Sequence, residues 1–385
     1  MRILFVSHCL NMGGANRSML QLMIELRQYG HQITVLTPKY ENPININLID
    51  ELESEGFEHI EAHYYWFKFG SGQKLKSVIK QSLNLLNILY IIYKIKGLKF
   101  DIVHSNSSVC DIGAYISLLK GIPHVWHLRE FGDIDFNLQS AFGKKYERFI
   151  YRHAEKFIAI SQRIQRHFAD RIPHNKIELI YNGIKFQKGH RVCAPTTINN
   201  IVHFCLVGML SDAKNPFQAL EASIILLKRG ITNFHITLMG GCDVIYEENL
   251  KSYIRQNNLS KYVTLTGEVT DVLDRLSAMD VGLMLSHNEA FGRVTIEYML
   301  SGLAVIASDT GANPEIIENG KSGLLYDKNS SASLANAMET LIKDTELRGK
   351  IALGGREKAS YFNSERNSQL INNLYNDIMY NSRNI

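Results

Sequence analysis

Short apolar runs bounded by glycine and polar turns recur along this chain, and most are followed by a stretch with apolar residues at helical spacing. Residues 3–6 form the first run, Asn11-Met12-Gly13-Gly14-Ala15-Asn16 makes a turn, and 17–28 reads as a helix that Gly30 ends. The run at 33–36 follows, so the opening is a βαβ unit with a glycine-rich first turn. Strands over 101–104 and 156–160 and a helix over 112–119 continue the alternation, with Ser161 capping the next helix. The polar stretch 185–200, holding Gly189 and Pro195, reads as a linker. Beyond it the pattern restarts: strand 201–207, loop 208–216, helix 217–228, then runs at 236–241, 263–267 and 281–285. The closing segments 334–342, 346–361 and 369–380 have helical spacing. Strand and helix alternating in this way predict parallel sheets, and the restart predicts two α/β domains.

Composition narrows this without changing it. At 385 residues, with 45% hydrophobic and 21% charged positions, the chain has ordinary globular usage and the length of two domains. A net charge of +4 is too small to argue for nucleic acid. Its distribution is uneven, since 1–185 holds 23 Lys and Arg against 17 Asp and Glu. Five scattered cysteines (Cys9, Cys110, Cys193, Cys205, Cys242) give no disulfide framework or zinc spacing, which points to a reducing cytoplasm. The first residues are read as a buried strand and not as a signal peptide, and no apolar run reaches the roughly 18–20 residues of a membrane span.

One segment stands out in charge. Residues 62–100 hold seven lysines (Lys68, Lys74, Lys76, Lys80, Lys94, Lys96, Lys99) and no acid, with Tyr64, Tyr65, Trp66, Phe67 and Phe69 at the head. Either this is a core helix with a solvated lysine face, or 64–99 is a basic amphipathic element that meets an anionic membrane surface.

Candidate chemistry concentrates in 286–326. Glu289 and Glu297 stand eight residues apart around the small turn Phe291-Gly292-Arg293, which leads from a strand into a helix that starts near Arg293. The first free N–H groups of that helix form an anion site, best suited to phosphate. Glu297 then lies one turn inside, about 5–6 Å along the axis, which is the remove of a nucleotide's ribose from its diphosphate.

This stretch, with the strand 304–307 and the turn Thr310-Gly311-Ala312-Asn313-Pro314-Glu315 behind it, resembles the signature of the retaining glycosyltransferases of family four, the group 1 glycosyltransferases. The resemblance implies a GT-B fold: two Rossmann-like α/β domains facing a cleft, residues 1–187 on the acceptor side and 188–365 holding the nucleotide sugar, with a helix over 366–385 packing back on the N-terminal domain. It implies a nucleotide-diphosphate sugar as donor, a glycan or lipid-linked acceptor, no cofactor and no required metal, in the cytoplasm or at the inner face of its membrane. Carried over residue by residue, Glu289 and His127 of the run His124-Val125-Trp126-His127-Leu128-Arg129-Glu130 act on the transferred sugar. Gly208, Lys214, Phe291, Gly292, Arg293 and Val294 hold the diphosphate, Glu297 the ribose, Val269 the base, and the Gly13-Gly14 loop closes over the donor. Two positions depart from the pattern: Met209 stands where relatives carry arginine, and Asn16 where many carry glutamate.

Asp133-Ile134-Asp135 looks like the metal-binding motif of a different glycosyltransferase fold and is read as coincidence. An NAD-dependent oxidoreductase would carry a complete G-x-G-x-x-G and an acid after its second strand, and here Thr37-Pro38 stands there. A sugar-nucleotide epimerase and an inactive sugar-nucleotide-binding protein remain as alternatives on the same fold.

Overall fold

The computed structural model describes residues 1–39, 48–70, 72–185 and 200–383. Its contacts divide the chain into two units, Met1–Lys185 with Ser364–Ile385, and Phe186–Asn363. Apart from its ends, the linker expected over 185–200 lies outside the described residues, as does Cys193.

In chain order the first unit runs β1 (Arg2–Val6), α1 (Gly14–Gln28), β2 (Gln32–Pro38), α2 (Leu48–Ser54), β3 (Glu58–Ala62), β4 (Lys68–Phe69) and α3 (Lys74–Lys94). It continues with β5 (Ile102–Ser105), α4 (Ile112–Lys120), β6 (His124–Leu128), α5 (Asp133–Phe136), β7 (Gln139–Ser140), α6 (Gly143–Arg152), β8 (Lys156–Ala159), α7 (Gln162–Phe168) and β9 (Ile177–Leu179). Seven parallel strands lie in the order β3-β2-β1-β5-β6-β8-β9, and β4 pairs with β7 as a small antiparallel ribbon.

The second unit runs β10 (Val202–Val207), α8 (Pro216–Lys228), β11 (Phe234–Met239), α9 (Val244–Gln256), β12 (Val263–Gly267), α10 (Val272–Leu276), β13 (Val281–Met284), α11 (Arg293–Leu300), β14 (Ala304–Ser308), α12 (Asn313–Ile316), β15 (Leu324–Tyr326), α13 (Ser331–Lys343) and α14 (Thr345–Ala359). Its six strands are parallel in the order β12-β11-β10-β13-β14-β15. This is the GT-B fold class, two Rossmann-like α/β units.

The last helix, α15 (Ser364–Arg383), belongs to the first unit. Ile371, Leu374, Tyr375 and Ile378, at helical spacing, bury one face against Met19, Leu22, Met23 and Leu26 of α1. Each such side chain contributes about 1.5–3 kcal/mol of burial.

Helix α3 corrects the core-helix reading of the lysine-rich segment and narrows the part of 64–99 that reaches the surface. Its buried positions are Ser77, Gln81, Asn84, Ile88 and Ile91, so the inward face is polar over the first turns. Gln81 donates to the Asp111 carboxylate and to the Tyr146 hydroxyl, and Asn84 holds both backbone groups of Tyr65 at 2.9 and 2.8 Å. With these partners inside, the apolar residues turn outward: Leu75 is 77% exposed, Leu86 65% and Tyr93 63%, and Ile79, Leu83, Leu89 and Tyr90 join them. The helix is therefore not a core helix with lysines outside. Nor does the aromatic head face solvent as a whole, because Tyr64, Phe67 and Phe69 are buried and only Trp66 of the five is exposed. Lys68 leaves the basic field altogether; it is buried in an ion pair with Glu147 at 3.2 Å.

Candidate functional site

In the second unit the chain reverses direction of progress across the sheet at β10, whose neighbours are β11 and β13. Open α/β sheets bind ligands at the carboxyl ends of the strands flanking such a switch point. Two loops converge there, Gly208 to Asn215 after β10 and Leu285 to Gly292 after β13. Tyr298 of α11 locks them in place: its ring lies against Gly282, where an added Cβ would come within 2.3 Å, and its hydroxyl accepts the Val207 N–H at 2.7 Å. Below Glu289, Gly311 (φ +61°) brings its backbone so near that an added Cβ would sit 2.3 Å from the Glu289 carbonyl. The His287 N–H donates to the Ala213 carbonyl at 3.2 Å and joins the two loops.

Helix α11 begins at Arg293 after Gly292 in a left-handed conformation (φ +92°). The Glu289 carboxylate accepts the Gly292 N–H at 3.1 Å through one oxygen and the Lys214 ammonium at 2.9 Å through the other. Burial pushes this carboxyl's pKa up, but Lys214, the Gly292 N–H and Ser286 outweigh it and hold the group below its ordinary value. Glu289 is thus a charged acceptor beside a cation and a helix N-terminus. One turn on, Arg293 Nε donates to Glu297 at 2.9 Å, so both are half-buried on the same rim of the helix. Phe291 is buried against Phe362, and Val294 is half-buried.

Of the residues singled out in the sequence, the structure brings Gly208, Lys214, Glu289, Gly292, Arg293 and Glu297 to this end of the sheet. Gly208 ends β10 with φ +136°, next to the Lys214 stem. Met209 is 73% exposed. Val269 stands apart from this cluster, on the loop after edge strand β12, two strands from β10.

The first unit's switch point lies between β1 and β5. Gly13 and Gly14 open α1, which begins three residues earlier than the apolar pattern indicates. Neither has positive φ, and a Cβ on either would meet nothing within 4 Å, so neither backbone conformation nor close packing requires glycine at these positions. Asn16 is buried under the loop: its amide donates to the carbonyls of Cys9 and Asn11 at 3.0 and 2.9 Å, and its oxygen accepts from Asn106 at 3.2 Å. It shapes the loop from below.

His127 is fully buried near the carboxyl end of β6. Nδ1 lies 3.1 Å from His104 Nε2, and Nε2 has no partner among the described residues. Burial first, then the Arg129 guanidinium and the His104 ring, lower its pKa well below the ordinary value, so the ring is neutral. Around it Arg129 Nε donates to Asn106 at 2.9 Å, and Glu130 accepts from the Ser107 hydroxyl and the Ser108 N–H at 2.8 and 2.6 Å.

Sequence reading missed His104, Asn106, Glu130, Tyr298 and Tyr375. A polar residue closing an apolar strand, as His104 does, was the available signal for the first; Tyr298 and Tyr375 sit in helical patterns that mark them only as core. The acids of the Asp133-Ile134-Asp135 run are engaged locally, Asp133 with His167 and Arg171 at 2.7 and 3.0 Å and Asp135 with the N–H groups of Phe131 and Gly132. Among the described residues no group of three or more His, Cys, Asp or Glu is placed to hold a metal ion, and no helix is long and apolar enough to cross a membrane.

Residues 12–188 match the family model described as Glycosyltransferase Family 4, and 199–358 the model described as Glycosyl transferases group 1. The chain is 26% identical over 331 residues to the UDP-Gal:alpha-D-GlcNAc-diphosphoundecaprenol alpha-1,3-galactosyltransferase of Escherichia coli, covering 79% of this chain and 82% of that one. It is 26% identical over 278 residues to a D-inositol 3-phosphate glycosyltransferase of Pseudarthrobacter chlorophenolicus, covering 65% and 64%. Among solved structures it is similar to Anabaena HepE in complex with UDP, with TM-score 0.80 and 22% identity over 98% of this chain and all of that one. A second similar structure is the lipopolysaccharide outer core galactosyltransferase WaaB, with TM-score 0.71 and 17% identity over 97% and 98%.

Proposed function

The chain belongs to the group 1 glycosyltransferases, and from that premise we propose that it moves a hexose from a UDP-sugar to a lipid-linked glycan, with retention at the anomeric carbon, in cell-surface polysaccharide synthesis. The observation that carries this reading is the Lys214–Glu289 pair at the N-terminus of α11, over the carboxyl ends of β10 and β13. A departing diphosphate develops negative charge. Lys214 and the N-terminal dipole end of α11 supply fixed positive charge at that spot, without a metal in this reading. Glu289, kept ionised, accepts from the sugar's hydroxyls and faces the positive charge that grows on the sugar ring. Glu297, one turn along, takes the ribose, and the loop at Val269 takes the base through its backbone. Phe291 supports the turn from its buried side, while Gly292, Arg293 and Val294 present the helix start to the phosphates. For the first unit, the family resemblance assigns His127 and the Gly13-Gly14 loop to the sugar and its phosphate; both glycines leave open space around the loop, which suits close approach of a ligand.

The uridine follows from relatives: the Escherichia coli enzyme's name gives UDP-Gal, and HepE has also been solved with UDP-glucose. The lipid-linked acceptor draws on that enzyme's diphosphoundecaprenol substrate and on α3. Exposed Leu75, Ile79, Leu83, Leu86, Tyr90 and Tyr93 form one stripe at helical spacing, bordered by Lys74, Lys76, Lys80, Lys94, Lys96 and Lys99. Leucines and tyrosines entering the headgroup layer with lysines beside them fit an anionic membrane face.

A thermal-shift panel of UDP-, GDP- and ADP-sugars tests the donor, since a ligand at ~100 times its dissociation constant adds about 2.7 kcal/mol of stability. A shift with a UDP-hexose, followed by α-linked product on a polyprenyl-diphosphate-sugar acceptor, is expected. A shift only with another base overturns the uridine assignment, and a β-linked product from an α-linked donor overturns retention.

A further inference from the structure

The C-terminal helix reaches the buried histidines of the first unit through a single file of hydrogen bonds. Tyr375 of α15, fully buried, places its hydroxyl 2.6 Å from His104 Nδ1. His104, fully buried on β5 and stacked on Phe5 at 4.5 Å, places Nε2 3.1 Å from His127 Nδ1. The file ends at His127 Nε2, which is buried and has no partner among the described residues.

Both rings are neutral. For His104 burial is the main cause, then the Arg129 guanidinium and His124; for His127 burial, then Arg129 and His104. A file of one hydroxyl and two neutral imidazoles admits two proton orders, because each ring carries one N–H and one lone pair. In the first, the Tyr375 O–H donates to His104 Nδ1, His104 Nε2–H donates to His127 Nδ1, and His127 keeps its proton on Nε2. In the second, every bond reverses, leaving the Tyr375 O–H with no acceptor on the file and His127 Nε2 as a bare lone pair. The first order strands one buried polar group and the second strands two. Stranded buried groups are costly, so the first order prevails.

We infer that Tyr375 and His104 are positioning residues that fix His127 as its Nε2–H tautomer, so that this histidine meets its ligand as a hydrogen-bond donor and not as a base. The catalytic consequence rests on the proposed contact of His127 with the donor sugar; the proton order does not. A donor at that place suits a sugar hydroxyl or phosphoryl oxygen. It cannot take the acceptor's proton.

The test is a long-range proton–nitrogen correlation spectrum of the full-length protein labelled with nitrogen-15 histidine. Signals of the two rings are identified by their loss in His104→Gln and His127→Gln. Both rings are expected as Nε2–H tautomers in the parent. Tyr375→Phe keeps the ring and its packing while removing the hydroxyl. It should bring in an Nδ1–H population at His127 and lower kcat about tenfold with donor KM largely unchanged. His104→Gln, whose carbonyl accepts and whose amide donates in the same order, should recover most of the rate lost in His104→Leu. An Nδ1–H His127 in the parent overturns the inference, as does a Tyr375→Phe protein with parental tautomer and kcat. Nε2–H tautomers together with parental transfer by His127→Gln would uphold the proton order and overturn the catalytic role of His127.

Discussion

The two sheets of this molecule place their switch points on opposite chemistry. Between β10 and β13 the chemistry is ionic: Lys214 and Glu289 at 2.9 Å, Arg293 and Glu297 at 2.9 Å, and a helix N-terminus behind them. Between β1 and β5, and on to β6, it is a buried polar floor of Asn16, Asn106, His104 and His127, with both imidazoles held neutral. Fixed charge is effective against a group whose own charge changes, such as a departing diphosphate. Neutral donors and acceptors discriminate hydroxyl patterns, because an unmatched polar group stranded in such a floor is costly. The outer surfaces differ as well. In the second unit the exposed large apolar residues, such as Met209, Leu273 and Leu353, are scattered, whereas α3 of the first unit carries them as one stripe.

The largest effect should come from removing the charge that the second unit keeps ionised. Glu289→Gln should lower kcat by about 10²–10³, the usual loss for one electrostatic contact to a transition state, with UDP affinity close to parental by calorimetry. A parallel loss of UDP affinity would erase the separation between chemistry and binding at this site.

Next in size is the membrane face. Each lysine near an anionic bilayer contributes about 1 kcal/mol, so turning Lys74, Lys76 and Lys80 to Glu should release the protein from anionic vesicles in sedimentation assays. Binding of the parent should weaken at high salt, because the Debye length falls from ~8 Å at physiological strength to ~3 Å at 1 M. Ser in place of Leu75, Ile79 and Leu86 should release it too. Equal recovery in the supernatant with anionic and neutral vesicles at both salts would leave the stripe without this role.

Smaller effects of opposite sign are expected around the ribose and the phosphates. Glu297→Ala should weaken UDP by roughly 0.5–1.5 kcal/mol, the net value of a hydrogen bond. Met209→Arg adds a cation at an exposed position next to Gly208 and should tighten UDP by up to about 1 kcal/mol. If neither change moves UDP affinity, the nucleotide is not held along this rim.

The smallest is a pH effect. Glu289 has its folded pKa below the ordinary 4.5, so its share of stability is full above that value and is lost as pH falls through the lower folded value. The melting-temperature gap between parent and Glu289→Gln should therefore be constant at neutral pH and change only below about pH 4.5. A gap that changes between pH 6 and 8 would contradict the ionised Glu289.

The same contrast explains what could be read from sequence. The ionic site is local: Glu289, Gly292, Arg293 and Glu297 lie within nine positions, and one strand–turn–helix brings them to a common face. The neutral floor is assembled from α1, β5 and the turn after it, β6 and α15, and nothing near Tyr375 in sequence says that its ring ends beside His104. Alternation of strands and helices made both sheets legible. It could not reveal α3, because the pattern there gives the apolar stripe and leaves open which face is inward. That is decided by Asp111, Tyr146 and Tyr65, whose hydrogen bonds hold Gln81 and Asn84 inside. Asn16 is a similar case, since its place in the sequence suggests a ligand contact and its amide instead ties the loop to itself.

The central claim is that the second unit's ionic switch point holds the nucleotide diphosphate, and calorimetric titration of UDP into the parent and into Lys214→Ala tests it most directly. With Met209 in place of a second cation, Lys214→Ala should lose about 1.5–3 kcal/mol of UDP binding, a roughly 10- to 150-fold weaker dissociation constant, while the fold persists by circular dichroism. A Lys214→Ala protein that binds UDP as the parent does would contradict the account.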